Sequence, residues 1–341
     1  MKNQNNYRFK VVITDHDYGS FEPEKEELNK IGAEVVTGQC KTEDEVIEIA
    51  KDADGLLVEY ANITRRVIES LKKCKVIARY GIGVDNIDIE AATEYGIIII
   101  NVPKYCIDEV SDHTVALMLS CVRKIVLFNN AVKKGIWDFK IAKPIFRLKN
   151  MKLGLVGYGS IARMFSEKAK TFGLKVIAYD PYVDSSTMAQ ADVEKVDLDF
   201  LLGVADIISL HLPLTKETKH LISEREIKLM KKNACIINTS RGPLINEKDL
   251  YRALKEKWIS GAAIDVTETE PIDQNNDLLK LDNIIITPHV SFYSEESLID
   301  LQRNTARGVA QILMGEMTPS ILNKSVIEKE NYRNKEKNDK A

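Results

Sequence analysis

Short apolar runs alternate with amphipathic stretches along almost the whole chain, and this alternation constrains the fold more than any other feature. "KVVITD", "EVVTG", "GLLVEY", "KVIARYG" and "IIIINVP" are rich in β-branched residues and read as buried strands. Between them, "EDEVIEIAKDA", "TRRVIESLKKC" and "IDIEAATEYG" carry helical spacing. Strands that are apolar on both faces and joined by helices form a parallel sheet covered on both sides. The first hundred residues therefore read as one doubly wound α/β unit. A long helix is expected over "DEVSDHTVALMLSCVRKIVLFNNAVKKG", Asp108 to Gly135. A second series opens at "KLGLVGYG" and runs through "KVIAYD", "DIISLHLP", "ACIINTS", "GAAIDV" and "NIIITPH". It ends in a helix, "EESLIDLQRNTARGVAQILMG".

At 341 residues the chain has the length for two domains, each with its own core. A net charge of -3 gives no electrostatic case for nucleic acid or for an anionic membrane surface. The opening "MKNQNNYRFK" lacks the apolar core of a secretory signal, and "GIIIINVP" is too short to span a bilayer. The five cysteines, Cys40, Cys74, Cys106, Cys121 and Cys235, are scattered and show no CxxC spacing. Reduced thiols in a cytoplasm are expected, with neither a disulfide framework nor a metal site. Cys106, near a loop, reads by default as a plain buried thiol. The residues after 326 are charged and poor in apolar groups, so 327–341 reads as a disordered tail.

"GLVGYGSIA" follows an apolar run and opens a helix. Gly157 permits the tight turn, Gly159 leaves room for a pyrophosphate, and Ala162 is small enough for close helix–strand packing. The helix N-terminus offers free N–H groups to phosphates. The next strand ends at Asp180, where an acid meets the ribose hydroxyls of a dinucleotide. Asp180 would repel a 2′-phosphate and no cation is adjacent, so NAD is expected over NADP. Three further groups lie just past later strands. Arg241 suits a carboxylate through its planar fork, Glu270 is an acid, and His289 titrates near neutrality. Singly, each has an ordinary reading as a strand-end or turn residue. Together they supply what oxidation of a 2-hydroxy acid needs: a cation for the carboxylate, a base for the hydroxyl proton, and an anion to favour the charged base.

"RYGIGVDNID", "GLVGYGSIA", "DIISLHLPLTKETKHLI", "NTSRGPLI", "GAAIDVTETEP" and "TPHVSFYSEES" resemble the D-isomer-specific 2-hydroxyacid dehydrogenases, from about Lys10 to Asn323. The resemblance implies a catalytic set of Arg241, Glu270 and His289, with Glu268 outside it. It implies that Ser160 and Ile161 lie along the pyrophosphate. Leu212, Pro213 and Thr218 would line the adenine-ribose side, and Thr239 and Asp265 the nicotinamide side. Arg79 and the backbone around Tyr80, Gly81, Ile82 and Gly83 would grip the substrate carboxylate. It implies two doubly wound parallel-sheet domains, a Rossmann NAD domain and a flavodoxin-like substrate domain, with an interdomain cleft. Their bounds would be 1–102 with 294–326 for substrate, and 103–293 for NAD. The helix from Asp108 resembles the segment that builds the family's homodimer. Beyond the resemblance, His113, His211 and His220 read as packing or surface histidines.

"SFYSEES" resembles the same tract in C-terminal binding proteins, with Phe292 as the aromatic residue. Phosphoglycerate dehydrogenases of the family tend to place arginine where this chain has Glu59 and Tyr60, and many carry an added regulatory domain for which this chain ends too soon. The expectation is therefore an NAD-dependent 2-hydroxyacid dehydrogenase with Phe292 and Tyr60 walling a pocket for an uncharged side chain. The alternatives are a D-3-phosphoglycerate dehydrogenase and, from another class, an NADH-responsive binding module.

Overall fold

The computed structural model describes residues 7–334. In chain order the first elements are β1 (Phe9–Ile13), α1 (Glu22–Asn29), β2 (Ala33–Thr37), α2 (Glu43–Ala50), β3 (Gly55–Val58), α3 (Arg65–Ser70), β4 (Val76–Arg79), α4 (Ile89–Glu94) and β5 (Ile98–Ile100). Then come α5 (Ile107–Val122), α6 (Ile125–Lys133), β6 (Lys152–Val156), α7 (Ser160–Lys170), β7 (Lys175–Tyr179), α8 (Ser185–Gln190), β8 (Glu194–Lys195), α9 (Leu198–Val204) and β9 (Ile207–Leu210). The last are α10 (Glu224–Leu229), β10 (Cys235–Asn238), α11 (Glu247–Lys255), β11 (Gly261–Ile264), β12 (Ile284–Ile286) and α12 (Glu295–Leu313). They divide into two units. Unit 1 is the chain up to Tyr105 together with the part from Ser294 onward, and unit 2 is Cys106–Tyr293.

Unit 1 is a five-stranded parallel sheet of order β2-β1-β3-β4-β5, the flavodoxin-like arrangement. Alternate residues of each strand enter opposite cores. Val11, Ile13 and Leu57 join one cluster with the α12 residues Val309 and Leu313, while Val12, Leu56 and Val58 join the other with Val46 and Val67. Each fully buried aliphatic side chain contributes about 1.5–3 kcal/mol. The helices begin where side chains replace missing backbone partners. Thr42 and Glu45 form a capping box on α2, Asp88 accepts the Ala91 N–H, and Ser294 accepts the Ser297 N–H.

Unit 2 is a seven-stranded parallel sheet of order β12-β11-β10-β9-β6-β7-β8, a Rossmann arrangement. Here too the strands feed two cores, with Val156, Ile208 and Ile236 on one face and Leu155, Ile207 and Ile237 on the other. The helix expected from Asp108 to Gly135 is two helices. Lys124 takes a left-handed conformation (φ 57°) and the pair bends by 62°. One such residue cannot continue a right-handed helix. α5 packs on α7, β10 and β11, whereas α6 leaves Ile125 and Val132 exposed. No single helix among the described residues is long and apolar enough to cross a membrane.

The expected tail needs correcting over 327–334; residues 335–341 lie outside the described residues. Tyr332 and Asn334 are buried. The Arg333 guanidinium donates to the carbonyls of Tyr95 (2.8 Å), Leu71 (2.7 Å) and Cys74 (3.2 Å). Composition hid this because a single aromatic and a single arginine anchor the segment, and neither shifts an average. Arg333→Ala is expected to lower the unfolding free energy by about 1–3 kcal/mol, read from thermal or denaturant unfolding.

Candidate active site

In a parallel sheet every strand ends at the same edge, so residues far apart in sequence gather there. In unit 2 the order reverses between β6 and β9, the point where doubly wound sheets bind ligands. Gly157, after β6, has φ +94°, and a Cβ there would lie 2.3 Å from the His211 carbonyl oxygen after β9. Only glycine fits. At Gly159 a Cβ would meet nothing within 4 Å, and both Gly159 and Ser160 are exposed. The first turn of α7, with Ile161 half-buried and Ala162 fully buried, thus presents open N–H groups. These features fit a dinucleotide pyrophosphate.

Asp180 follows β7 and is nearly buried. One carboxylate oxygen accepts the Tyr158 N–H and the other the Tyr182 N–H, each at 2.8 Å. The carboxylate therefore holds the glycine turn in place, and each oxygen retains a lone pair for a ribose hydroxyl. After β9, Leu212 packs against the core and Pro213 is exposed. The Thr218 hydroxyl closes this turn onto the Pro213 carbonyl at 2.7 Å. His211 packs against Phe165 and bonds the Ser209 hydroxyl at 2.9 Å, and burial of its ring pushes the pKa down to about 3, so the imidazole is neutral. His220 lies 3.1 Å from Glu268, whose own carboxylate accepts the Glu247 N–H.

Arg241 sits three residues past β10. Asn238 arranges its backbone, donating to the Arg241 carbonyl at 2.8 Å and accepting the Ser240 N–H at 3.0 Å. Nη1 of Arg241 donates to the Ser240 carbonyl at 2.8 Å. Thr239 makes a 3.0 Å hydrogen bond with the Thr114 hydroxyl of α5. Glu270 and His289 come from the loops after β11 and β12, and Oε2 of Glu270 lies 2.7 Å from Nδ1 of His289. Burial opposes ionisation of Glu270. The hydrogen bond and charge of His289, the Thr267 N–H and the field of Arg241 outweigh it and hold the carboxyl below its usual range. The geometry brings all three residues together. Nε2 of His289 has no partner among the described residues, and the Phe292 ring stands edge-on to the imidazole, centroids 6.2 Å apart.

Asp265, at the end of β11, does something the sequence did not reveal. It is 1% exposed, and its carboxylate is filled by its own neighbourhood. One oxygen accepts the Val290 N–H at 3.0 Å and the Thr287 hydroxyl; the other accepts the Ser291 N–H at 2.8 Å and the Ser291 hydroxyl. Its backbone carbonyl takes the His289 N–H at 2.7 Å. His289 has φ 50°, unusual for a side chain of its size, and these bonds hold it there. His113 of α5 adds a 3.1 Å contact to the Thr287 hydroxyl, with Asp265 3.7 Å away. Nothing in the sequence around His113 marked this; the partner lies 174 residues on.

In unit 1 the candidate residues cluster after β3 and β4. Tyr80 is buried, and its hydroxyl donates to Glu24 at 2.8 Å, so only its backbone lies in the loop. The N–H groups of Gly81, Ile82 and Gly83 donate to no acceptor among the described residues. Gly81 has φ +131°, and a Cβ would fall 1.5 Å from Nη1 of Arg79, so the guanidinium lies across the glycine. Tyr60 is exposed.

Residues 115–291 match the family model described as D-isomer specific 2-hydroxyacid dehydrogenase, NAD binding domain. The chain is similar to a D-3-phosphoglycerate dehydrogenase of Methanocaldococcus jannaschii, 43% identical over 92% of this chain and 59% of that protein. It is also similar to a glyoxylate reductase of Thermococcus litoralis, 38% identical over 83% of this chain and 87% of that protein. A solved structure of D-lactate dehydrogenase from Aquifex aeolicus, complexed with NAD and lactic acid, superposes with a TM-score of 0.79 at 29% identity. It covers 93% of this chain and 97% of that one. The chain thus spans under two thirds of the phosphoglycerate dehydrogenase it matches.

Asp265→Asn places an amide against donors that need an anion. Stability is expected to fall by about 2–4 kcal/mol. Amide exchange at His289, Val290 and Ser291 should quicken beyond that of the sheet, as hydrogen-exchange mass spectrometry would show.

Proposed function

This chain belongs to the D-isomer specific 2-hydroxyacid dehydrogenase family, and from that premise we propose that it is an NAD-dependent 2-hydroxyacid dehydrogenase, or equally a 2-oxoacid reductase, with His289 as acid and base. The 2.7 Å bond between His289 and Glu270, in the field of Arg241, carries the reading. Bound NAD would supply the hydride acceptor, or donor in reverse. The first turn of α7 would hold its pyrophosphate and Asp180 its ribose hydroxyls. His289 takes the hydroxyl proton on Nε2 during oxidation and returns it during reduction. Glu270 accepts from Nδ1–H, which sets the tautomer and favours the charged imidazole. Arg241 binds the substrate carboxylate. By themselves, Arg79 and the N–H groups of Gly81, Ile82 and Gly83 in unit 1 are suited to an anion.

For the substrate we favour a small 2-oxo acid with an uncharged side chain. Phe292 beside the imidazole supplies an apolar wall. D-3-Phosphoglycerate dehydrogenase is the second reading, favoured by the 43% identity to the Methanocaldococcus protein. Initial rates with pyruvate, glyoxylate, hydroxypyruvate, phenylpyruvate and 3-phosphohydroxypyruvate separate them; preference for the phosphorylated acid selects the second. A folded protein that binds NADH yet turns over none of these acids would return the binding-module reading. We also propose a homodimer. Ile125, Val132, Ile136, Trp137, Phe139 and Phe146 expose an apolar run in unit 2, with Trp137 89% exposed.

His289→Ala is expected to cut turnover by about 10²–10⁴-fold with little change in NADH affinity. Arg241→Ala should raise KM for the 2-oxo acid and lower kcat. Asp180→Ala should narrow the preference for NADH over NADPH. Steady-state kinetics with both cofactors checks all three, and unaltered turnover in the His289 variant removes that residue from the proton path. Sedimentation of Trp137→Asp should report a monomer where the parent chain is a dimer.

A further inference from the structure

Two neighbouring side chains of α5 reach the loops that carry His289 and Arg241. The His113 side chain is 24% exposed, and Thr114 is fully buried. Nε2 of His113 lies 3.1 Å from the hydroxyl of Thr287, the first residue after β12. The Thr114 hydroxyl lies 3.0 Å from that of Thr239, the first residue after β10. Between them stands Asp265, the first residue after β11. Asn238, Ile264 and Ile286 are in register across the three strands, so Thr239, Asp265 and Thr287 follow side by side at the sheet edge.

The direction of each bond follows from counting hydrogens. A hydroxyl has one to give. Thr287 gives its hydrogen to the Asp265 carboxylate, so it accepts from Nε2–H of His113. Thr114 gives its hydrogen to the Val110 carbonyl at 2.6 Å, so it accepts from Thr239. His113 therefore heads a one-way chain through Thr287 to Asp265, the residue that holds the backbone of His289, Val290 and Ser291. Thr239 opens the turn in which Asn238 fixes the backbone of Ser240 and Arg241.

One helix can do both. β10 and β12 flank β11, so they stand about 10 Å apart. Successive side chains on a helix diverge by about 100°, and α5 packs on all three strands. α5 is itself anchored. Lys168 of α7 donates to Ser111 and Asp112 at 2.7 Å each and to Asp108 at 3.3 Å, and Leu117 and Met118 are buried in the core.

We propose that His113 and Thr114 are positioning residues for the reaction: α5 fixes the loop of the proton carrier through His113 and the loop of the carboxylate-binding arginine through Thr114. This rests on the 2-hydroxyacid dehydrogenase reading above. Neither is a catalytic residue; each acts through the loop it holds. A reacting group displaced by about 1 Å can lose about 10²-fold in rate, so a bond remote from substrate can govern turnover.

The two arms have different kinetic signatures. They are read with NADH and the fastest of the five 2-oxo acids named above. Rates are referred to NADH-binding sites counted by fluorescence titration, so unfolded protein drops out. His113→Phe keeps a ring and removes the donor; kcat is expected to fall about 10–100-fold with KM within about threefold of the parent value. Thr114→Val keeps the shape and removes the hydroxyl; KM for the 2-oxo acid should rise about 5–20-fold with kcat within about threefold. His113→Gln places an amide donor near Nε2, and Thr114→Ser retains the hydroxyl. Each should bring its constant back to within about threefold of the parent. Unaltered kcat in His113→Phe, unaltered KM in Thr114→Val, or no rescue by the conservative variants overturns the proposal while the dehydrogenase reading stands. Should His113→Phe fail to fold, His113→Asn, polar but too short to reach Thr287, takes its place with the same expected loss. Should Thr114→Val fail to fold, Thr114→Ala does likewise. A parent chain that binds NADH yet turns over none of the five acids sinks the dehydrogenase reading and this proposal together.

Discussion

The buried carboxylate of Asp265 is the interaction on which the candidate site depends. It ends a fully buried strand and receives two backbone N–H groups and two hydroxyls from the loop after β12. A carboxylate this buried is costly unless its lone pairs are filled, and the loop fills them. The exchange works both ways. The anion is satisfied, and a five-residue loop that would otherwise be mobile is held, with His289 in a left-handed backbone conformation. His113 completes the frame from α5. The imidazole is thus oriented from behind through its backbone and from one side through Glu270, and its Nε2 has no partner among the described residues.

The parallel sheet makes this possible. β6, β7, β9, β10, β11 and β12 all end at one edge, so the loops that follow them gather there. Gly157, Asp180, Arg241, Asp265, Glu270 and His289 follow in chain order. The electrostatics are ordered along that edge as well. Asp180 and Asp265 are spent mainly on holding backbone, whereas Glu270 is kept ionised by His289 and Arg241. Unit 1 repeats the principle with other residues. Asp15 holds the turn after β3 by accepting the N–H groups of Glu59, Tyr60 and Ala61.

Much of this was legible in one dimension. The strands of both sheets show as β-branched runs because both faces are buried, and Gly157, Gly159 and Asp180 sit at the spacing expected where a strand, a glycine turn and a helix follow one another. Other features were not legible, for identifiable reasons. α1, "EPEKEELN", went unread because its apolar content is almost confined to Leu28. The break at Lys124 left the helical periodicity intact on both sides, so one helix was expected where there are two. Residues 327–334 were read as a tail because Tyr332 and Arg333 bind individual carbonyls, which composition does not register. The loop-anchoring bonds of Asp265 were not legible because all four of its loop donors lie over twenty residues away in sequence.

The sequence by itself determined the two doubly wound sheets and the cofactor class. Those depend on local periodicity and on residue types at short spacings, which a linear chain displays. Only the tertiary structure decided which acids are spent on holding loops and which stay available for chemistry. It also decided that burial pushes the Glu59 pKa up to about 7. Burial and the direction of a hydrogen bond set the behaviour of a charge, and neither exists until distant segments meet.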